Sequence, residues 1–321
     1  MVDFWKEITQ KAIVILGPTS SGKTSLAIKI AKEINGAIIS ADSRQVYKSM
    51  DIGTGKVPVK QSYKIQKEKD KWQVDGVDLY MYDLVFPNED FSVSTYVALA
   101  KKFIFDVISK GQIPVIVGGT GFYIDILTNE QRVFPVEPDE KLRQQLRKLS
   151  LAQLQQMLRN LDKEKFEQID INNPVRIIRA IEVIKSGKSD ESIGLIDFEY
   201  LKLGLSTDRE DLFSRADSWV KEIIKYGLID EVKDLISRGY INTQPMQGMI
   251  YKTVLSYLNG EIILKEDLET KIKFELHNYI RRQQTYFKKV KEVIWYDIKD
   301  NTFDQTVLKQ VKSFHDGENS K

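Results

Sequence analysis

The chain has 321 residues, 42% hydrophobic and 29% charged, with a formal net charge of +2; this is ordinary for a globular protein of one large domain or two smaller ones, and the near-neutral balance is not the global signature of a nucleic-acid binder. It contains no cysteine and only two histidines, His277 and His315, which excludes disulfides and thiolate metal sites and argues against zinc. No apolar run reaches membrane-spanning length and the first residues lack a signal-peptide core, so a cytoplasmic protein with no membrane partner is expected.

The first element is a short apolar run, Ala12 to Leu16, followed by Gly17-Pro18-Thr19-Ser20-Ser21-Gly22-Lys23-Thr24. That is an unbroken G-x-x-x-x-G-K-[ST] loop. Leu26, Ala27, Ile30 and Ile34 then recur at helical spacing. Strand, glycine loop and helix are the context that gives the motif its meaning. Backbone N–H groups and a helix N-terminus would close on phosphate oxygens, Lys23 adds a point charge, and Thr24 offers a hydroxyl to a metal ion.

Four further strands are predicted, at Ala37–Ser40, Ile113–Val117, Leu201–Leu205 and Val293–Tyr296, with helical patterns between them. The pattern from Ser92 to Lys110 has a serine to cap it and Gly111 to end it. This alternation predicts an α/β fold, a parallel sheet flanked by helices like that of the P-loop nucleoside triphosphatases. Residues 125–198 break the rhythm. Leu142, Leu146, Leu149 and Leu154 suggest amphipathic helices, and a further helix is expected from Pro174 to Lys185. The expected organisation is a core of residues 1–124 and 199–321 with an all-helical insertion at 125–198, ending in a linker from Gly187 to Phe198. Ser206 to Gly239 reads as one or two helices broken near Gly227, and 316–321 as a frayed tail. The lysine-rich stretch from Lys60 to Lys71 reads as a solvated face.

In a parallel sheet the strand ends share one rim, where ligands bind. The second strand runs into Asp42-Ser43-Arg44-Gln45, and the third into Gly118-Gly119-Thr120-Gly121-Phe122-Tyr123. Asp42 could hold magnesium, take a proton from a nucleophile, or simply cap a turn. Thr120 could serve the same crevice or only its own turn. The third strand ends without the acidic residue that a motor or switch nucleoside triphosphatase uses for magnesium. Small-molecule kinases and other diphosphate chemistry remain.

The chain resembles the tRNA dimethylallyltransferase family, in its bacterial form. Five blocks carry the resemblance in order: Gly17–Thr24; Asp42-Ser43-Arg44-Gln45-Val46-Tyr47 with Asp51-Ile52-Gly53-Thr54; Gly118–Tyr123; Arg176-Ile177-Ile178-Arg179-Ala180-Ile181-Glu182-Val183; and Arg282-Gln283-Gln284-Thr285-Tyr286-Phe287. Tyr286 stands where the family has Trp, and Met249-Ile250-Tyr251-Lys252-Thr253 departs from its I-G-Y-K-E block. The family's usual histidine pair before Asp83-Leu84-Val85 is replaced by Leu79 and Tyr80.

The resemblance implies transfer of a dimethylallyl group from dimethylallyl diphosphate to N6 of the adenosine beside the anticodon. Gly17, Pro18, Thr19, Ser20, Ser21, Gly22, Lys23 and Thr24 would hold the diphosphate, with Mg2+ on Thr24. The resemblance also makes Asp42 the general base, Thr120 an aid in placing the amine, and Arg215 a second diphosphate contact. Asp42, Ser43, Arg44, Gln45, Tyr123, Arg176, Arg179, Arg282 and Gln283 would contact tRNA, Gln45 by reading an adenine edge. A monomer is expected. The rival is a P-loop small-molecule or nucleoside kinase, with ATP in the loop and Arg132, Arg143 and Arg147 as a lid. A non-catalytic RNA-binding protein would not keep Lys23, Thr24, Asp42 and Thr120 together.

Overall fold

Apolar runs bounded by turn residues form the central strands of the larger unit. A computed structural model describes residues 10–56, 63–128, 136, 139–187 and 198–317. The chain divides into two compact units, Met1–Gln131 with Leu195–Lys321, and Arg132–Gly194.

The larger unit begins with β1 (Gln10–Leu16), α1 (Lys23–Glu33) and β2 (Gly36–Ser40). Three short strands follow, β3 (Ile65–Lys67), β4 (Lys71–Val74) and β5 (Val77–Tyr80), then α2 (Val93–Ser109), β6 (Ile113–Gly118) and α3 (Gly121–Leu127). The smaller unit holds α4 (Glu140–Leu146), α5 (Leu151–Leu161), α6 (Lys163–Gln168) and α7 (Pro174–Lys185). The larger unit resumes with β7 (Phe198–Ser206), α8 (Arg209–Lys225), α9 (Leu228–Ser237), α10 (Met249–Leu258), α11 (Lys265–Phe287), β8 (Val293–Asp297) and α12 (Phe303–Asp316).

The strands make one eight-stranded sheet in the order β3-β4-β5-β2-β6-β1-β7-β8. The five predicted strands occupy its parallel part, with β1 between β6 and β7. Their inner residues, from Ile13 to Leu16 and at Ile39, Val115 and Leu203, are almost fully buried. Near-continuous apolar runs are the mark of strands covered on both faces. The sheet is not wholly parallel, however. β3, β4 and β5 pair antiparallel as a ribbon that joins β2 through β5. Its residues alternate or are exposed throughout, and it covers part of the lysine-rich stretch expected to be a helix face. Asp75 and Gly76, both at positive φ, form the tight turn between β4 and β5. Asp-Gly is a turn pair that favours such a hairpin.

Local chemistry sets the helix ends. Ser92 caps α2 by accepting from Thr95 N–H, and Asn173 caps α7 with Pro174 in its first turn. Gly227, at φ +110°, separates α8 from α9 where the break was expected. The expected insertion limits differ from the observed ones. α3 runs unbroken through 125, and Asp125 is buried in the larger unit, accepting from the Tyr286 hydroxyl. In the smaller unit, Leu146, Leu154, Leu158, Ile177 and Ile181 form a separate apolar cluster. Most of the expected linker, 188–197, lies outside the described residues.

Candidate active site

The phosphate loop leaves β1 and enters α1 through Gly22, at φ +85° and with no side chain capping the helix. The first N–H groups of α1 therefore face outward without a side-chain acceptor, the arrangement that binds anions. The Ser21 hydroxyl is buried with no hydrogen-bond partner among the described residues. Lys23 donates to the Pro18 carbonyl at 2.7 Å. Burial lowers the Lys23 pKa to about 8, against the opposing pull of the Asp42 carboxylate.

A cavity of about 480 Å³ opens beside the loop. Its phosphate end is formed by Thr19, Ser20, Gly22, Lys23 and Thr24, and its sheet side by Ile38, Ser40 and Val117. Asp42 and Gln45 line the same cavity from the loop after β2. α8 contributes Arg215, Trp219 and Glu222, and α11 contributes Tyr279 and Gln283. Arg215 is exposed and has no ion-pair partner among the described residues. The cavity thus brings a cationic, N–H-rich loop, a carboxylate and aromatic rings together.

Asp42 accepts from Arg44 N–H at 2.8 Å, so the turn-forming role is present as well. Burial raises its pKa, outweighing the Arg44 and Gln45 N–H groups and the charges of Lys23 and Arg44. A carboxylate with a raised pKa is the stronger base. Tyr279 is pushed up to about 12 by burial and then by Asp42, so its hydroxyl stays protonated.

The remaining expected site residues divide. Thr120 caps α3 without a side-chain bond, receives only a long contact from Ser43 N–H at 3.4 Å, and lies outside the cavity lining. The Gln45 amide accepts from Ser40 Oγ at 2.7 Å and donates to the Gly55 and Thr54 carbonyls at 3.3 and 3.4 Å. An adenine edge would have to displace these partners. Tyr123 is buried, its ring stacked on Tyr96 at 3.9 Å. Arg282 is exposed, its guanidinium over the Tyr279 ring. Gln283 is buried and spends its amide on protein: Thr19 N–H donates to its Oε1, and its Nε2 donates to the Gly119 carbonyl, both at 2.9 Å.

In the smaller unit, Arg176 is exposed, with Asp170 at 3.9 Å. Arg179 instead donates to Glu182 and to the Val136 carbonyl. Buried Glu182 also accepts from Arg143 at 2.8 and 2.9 Å and from Asp139 N–H. Burial would raise the Glu182 pKa, but these donors outweigh it and hold the group below its ordinary value. Arg179 and Arg143 are therefore committed to the unit's own framework. Arg147, exposed, pairs with Glu140, and Arg132 lies outside the described residues. The sequence reading missed Tyr279, Tyr82, Trp219 and Glu222. The available signal was the i, i+4 spacing of Tyr279 and Gln283, which puts both on one helix face.

The comparisons define the class. The family described as IPP transferase matches residues 45–290, and the description isopentenyl transferase matches residues 10–72. A tRNA dimethylallyltransferase of Acetivibrio thermocellus is 38% identical over 314 residues, spanning 94% of this chain and 96% of that protein. One from Anoxybacillus flavithermus is 34% identical, spanning 96% and 97%. A full-length tRNA isopentenylpyrophosphate transferase structure from Bacillus halodurans is similar with a TM-score of 0.67 at 32% identity, covering 96% of this chain and 95% of its own. A eukaryotic dimethylallyltransferase structure reaches a TM-score of 0.80 over 96% of this chain and 80% of its own; at 24% identity it speaks for the fold alone. The chain belongs to the IPP transferase family. Kinase chemistry is not favoured by these relatives.

Proposed function

We propose that this chain is a tRNA dimethylallyltransferase, moving a dimethylallyl group from dimethylallyl diphosphate to N6 of the adenosine beside the anticodon. The observation that carries the reading is the single cavity shared by the phosphate loop and Asp42. In the reaction a bond forms between N6 and the first prenyl carbon, and the bond from that carbon to the diphosphate oxygen breaks. The amine must also lose a proton, which passes to Asp42. The diphosphate leaves into the first N–H groups of α1, Lys23 and Arg215, which neutralise charge as it develops. The aromatic and aliphatic walls, Tyr82, Tyr279, Trp219 and Ile38, suit the apolar prenyl group.

Hard oxygen donors suit magnesium, which takes few protein ligands and completes its shell with phosphate oxygens. Thr24 and Asp42 line the same cavity and offer such donors. Thr24 would hold the ion, which when bound supplies further positive charge to the leaving diphosphate.

The adenosine must unstack from the anticodon loop, at a cost of about a few kcal/mol. Exposed Arg281, Arg282, Lys288 and Lys289 at the end of α11, with Arg176 in the smaller unit, are the cations offered to its phosphates. Among the described residues no helix is long and apolar enough to cross a membrane, and a tRNA substrate fits a cytoplasmic setting.

The deciding experiment incubates the protein with tRNA, magnesium and either dimethylallyl diphosphate or ATP, then analyses tRNA nucleosides by mass spectrometry. A prenyl mass on adenosine is expected with the first donor. ATP consumption without a prenylated nucleoside would return the kinase.

A further inference from the structure

The phosphate loop and the loop after β6 leave neighbouring strands, paired as far as Leu16 and Gly118, and among the described residues no backbone hydrogen bond bridges the tips of the two loops. Gln283 does. Its Oε1 accepts from Thr19 N–H in the phosphate loop, and its Nε2 donates to the Gly119 carbonyl, each at 2.9 Å. The residue is 5% exposed and lines the cavity. Both ends of the amide are used, and each suits its partner: a carbonyl meets an N–H and an NH2 meets a carbonyl. A Cβ at Gly119 would stand 2.7 Å from Gln283 Nε2 and 3.9 Å from Lys23 Nζ. The tie therefore sits against the cationic end of the site, and a side chain at position 119 would displace the Gln283 amide from it.

The same helix makes a second junction one turn further on. A Cβ at Gly121 would stand 2.1 Å from the Tyr286 ring, and the Tyr286 hydroxyl donates to Asp125 on α3. The last two turns of α11 are thus seated on the Gly119–Gly121 segment at two points. This seat is independent of the phosphate loop, so it fixes where Gln283 starts from.

We propose that Gln283 is a positioning residue: it sets the spacing between the loop that holds the diphosphate and the Gly118–Gly121 loop, rather than reading RNA. The inference rests on the proposed transferase reading. Its physical consequence is kinetic. The Gly118–Gly121 loop lies against the Asp42 turn through the Ala41 carbonyl, which accepts from Thr120 N–H at 3.4 Å. Loss of the tie would let the leaving group and the base drift apart, and misplacement by about 1 Å costs roughly 10²-fold in rate.

The test uses the full chain with Gln283→Ala, Gln283→Glu, Gly119→Ala and the Gln283→Ala/Gly119→Ala pair. Gln283→Glu keeps size and the acceptor for Thr19, but sets a carboxylate oxygen against the Gly119 carbonyl. In each variant kcat is expected to fall roughly 10²-fold while KM for tRNA stays within about twofold. The paired variant is expected to be little worse than either single one, because both break the same tie. Thermal melts identify a variant that has merely unfolded; Gln283→Glu, equal in size, then carries the comparison. A rise in KM for tRNA at unchanged kcat would make Gln283 an RNA contact and overturn the proposal. So would normal kcat in folded Gln283→Ala. Affinity for inorganic diphosphate and exchange of the Thr19 amide proton, followed by NMR, report on the tie without turnover. Both should weaken in Gln283→Ala, even if the wild-type protein transfers no prenyl group and the functional reading fails.

Discussion

Lys23 and Asp42 line one cavity and depart from their ordinary titration in opposite directions, Lys23 down and Asp42 up, burial being the first cause of both. The proposed chemistry needs Lys23 charged and Asp42 ionised. Activity should therefore rise with pH as Asp42 loses its proton, above its ordinary 3.8, and fall again near pH 8 as Lys23 loses its own. Bound diphosphate favours the charged lysine. The alkaline limb of kcat should thus lie at higher pH than that of kcat/KM, a difference that pH–rate profiles measure directly. Asp42→Asn should lower kcat by about 10²–10⁴-fold and remove the acid limb, with tRNA affinity nearly unchanged in filter binding. Near-normal turnover in that variant would take the proton elsewhere. The phosphate loop was legible in the sequence because its eight residues are contiguous and their chemistry is local. The part played by Gln283 was not, because its partners lie 264 and 164 residues away. A glutamine on a basic helix looks like surface until those partners are placed.

Among the elements, the parallel strands were legible as apolar runs, and the antiparallel ribbon β3–β5 was not. Its strands are three or four residues long and mix polar with apolar residues, too short for periodicity to separate them from a solvated helix. Asp75-Gly76 was the one local signal of a turn. The same holds for the segment that departs from the I-G-Y-K-E pattern. Tyr251, on α10, donates to Glu231 on α9, and Glu231 also accepts from the N–H groups of Asp51, Ile52 and Gly53 at 2.7–3.0 Å. One carboxylate thus gathers the segment 51–55, whose Thr54 and Gly55 carbonyls receive the Gln45 amide. Glu231→Ala strands three backbone donors and should cost about 2–4 kcal/mol in urea unfolding, whereas Tyr251→Phe removes one bond and should cost about 1 kcal/mol. Equal losses in the two variants would place the weight on the tyrosine hydroxyl instead.

At the scale of the whole molecule, a net charge of +2 conceals an uneven distribution. Exposed Arg281, Arg282, Lys288 and Lys289 cluster at one end of α11, next to the cavity wall formed by Tyr279 and Gln283. Binding of tRNA should weaken steeply with salt, and replacing Arg281 and Arg282 together by alanine should reduce the slope of log affinity against log salt by roughly one to two. An unchanged slope would move the RNA phosphates to other cations. The tie between Thr19 and Gln283 also has a consequence in time. The phosphate loop is synthesised before α11, and the partner of its Thr19 amide arrives 264 residues later. At about 5–20 residues per second, that interval is roughly 13–53 s. Throughout it the nascent chain carries the phosphate loop without the Gln283 amide, so synthesis itself delays assembly of the cavity until α11 has been made.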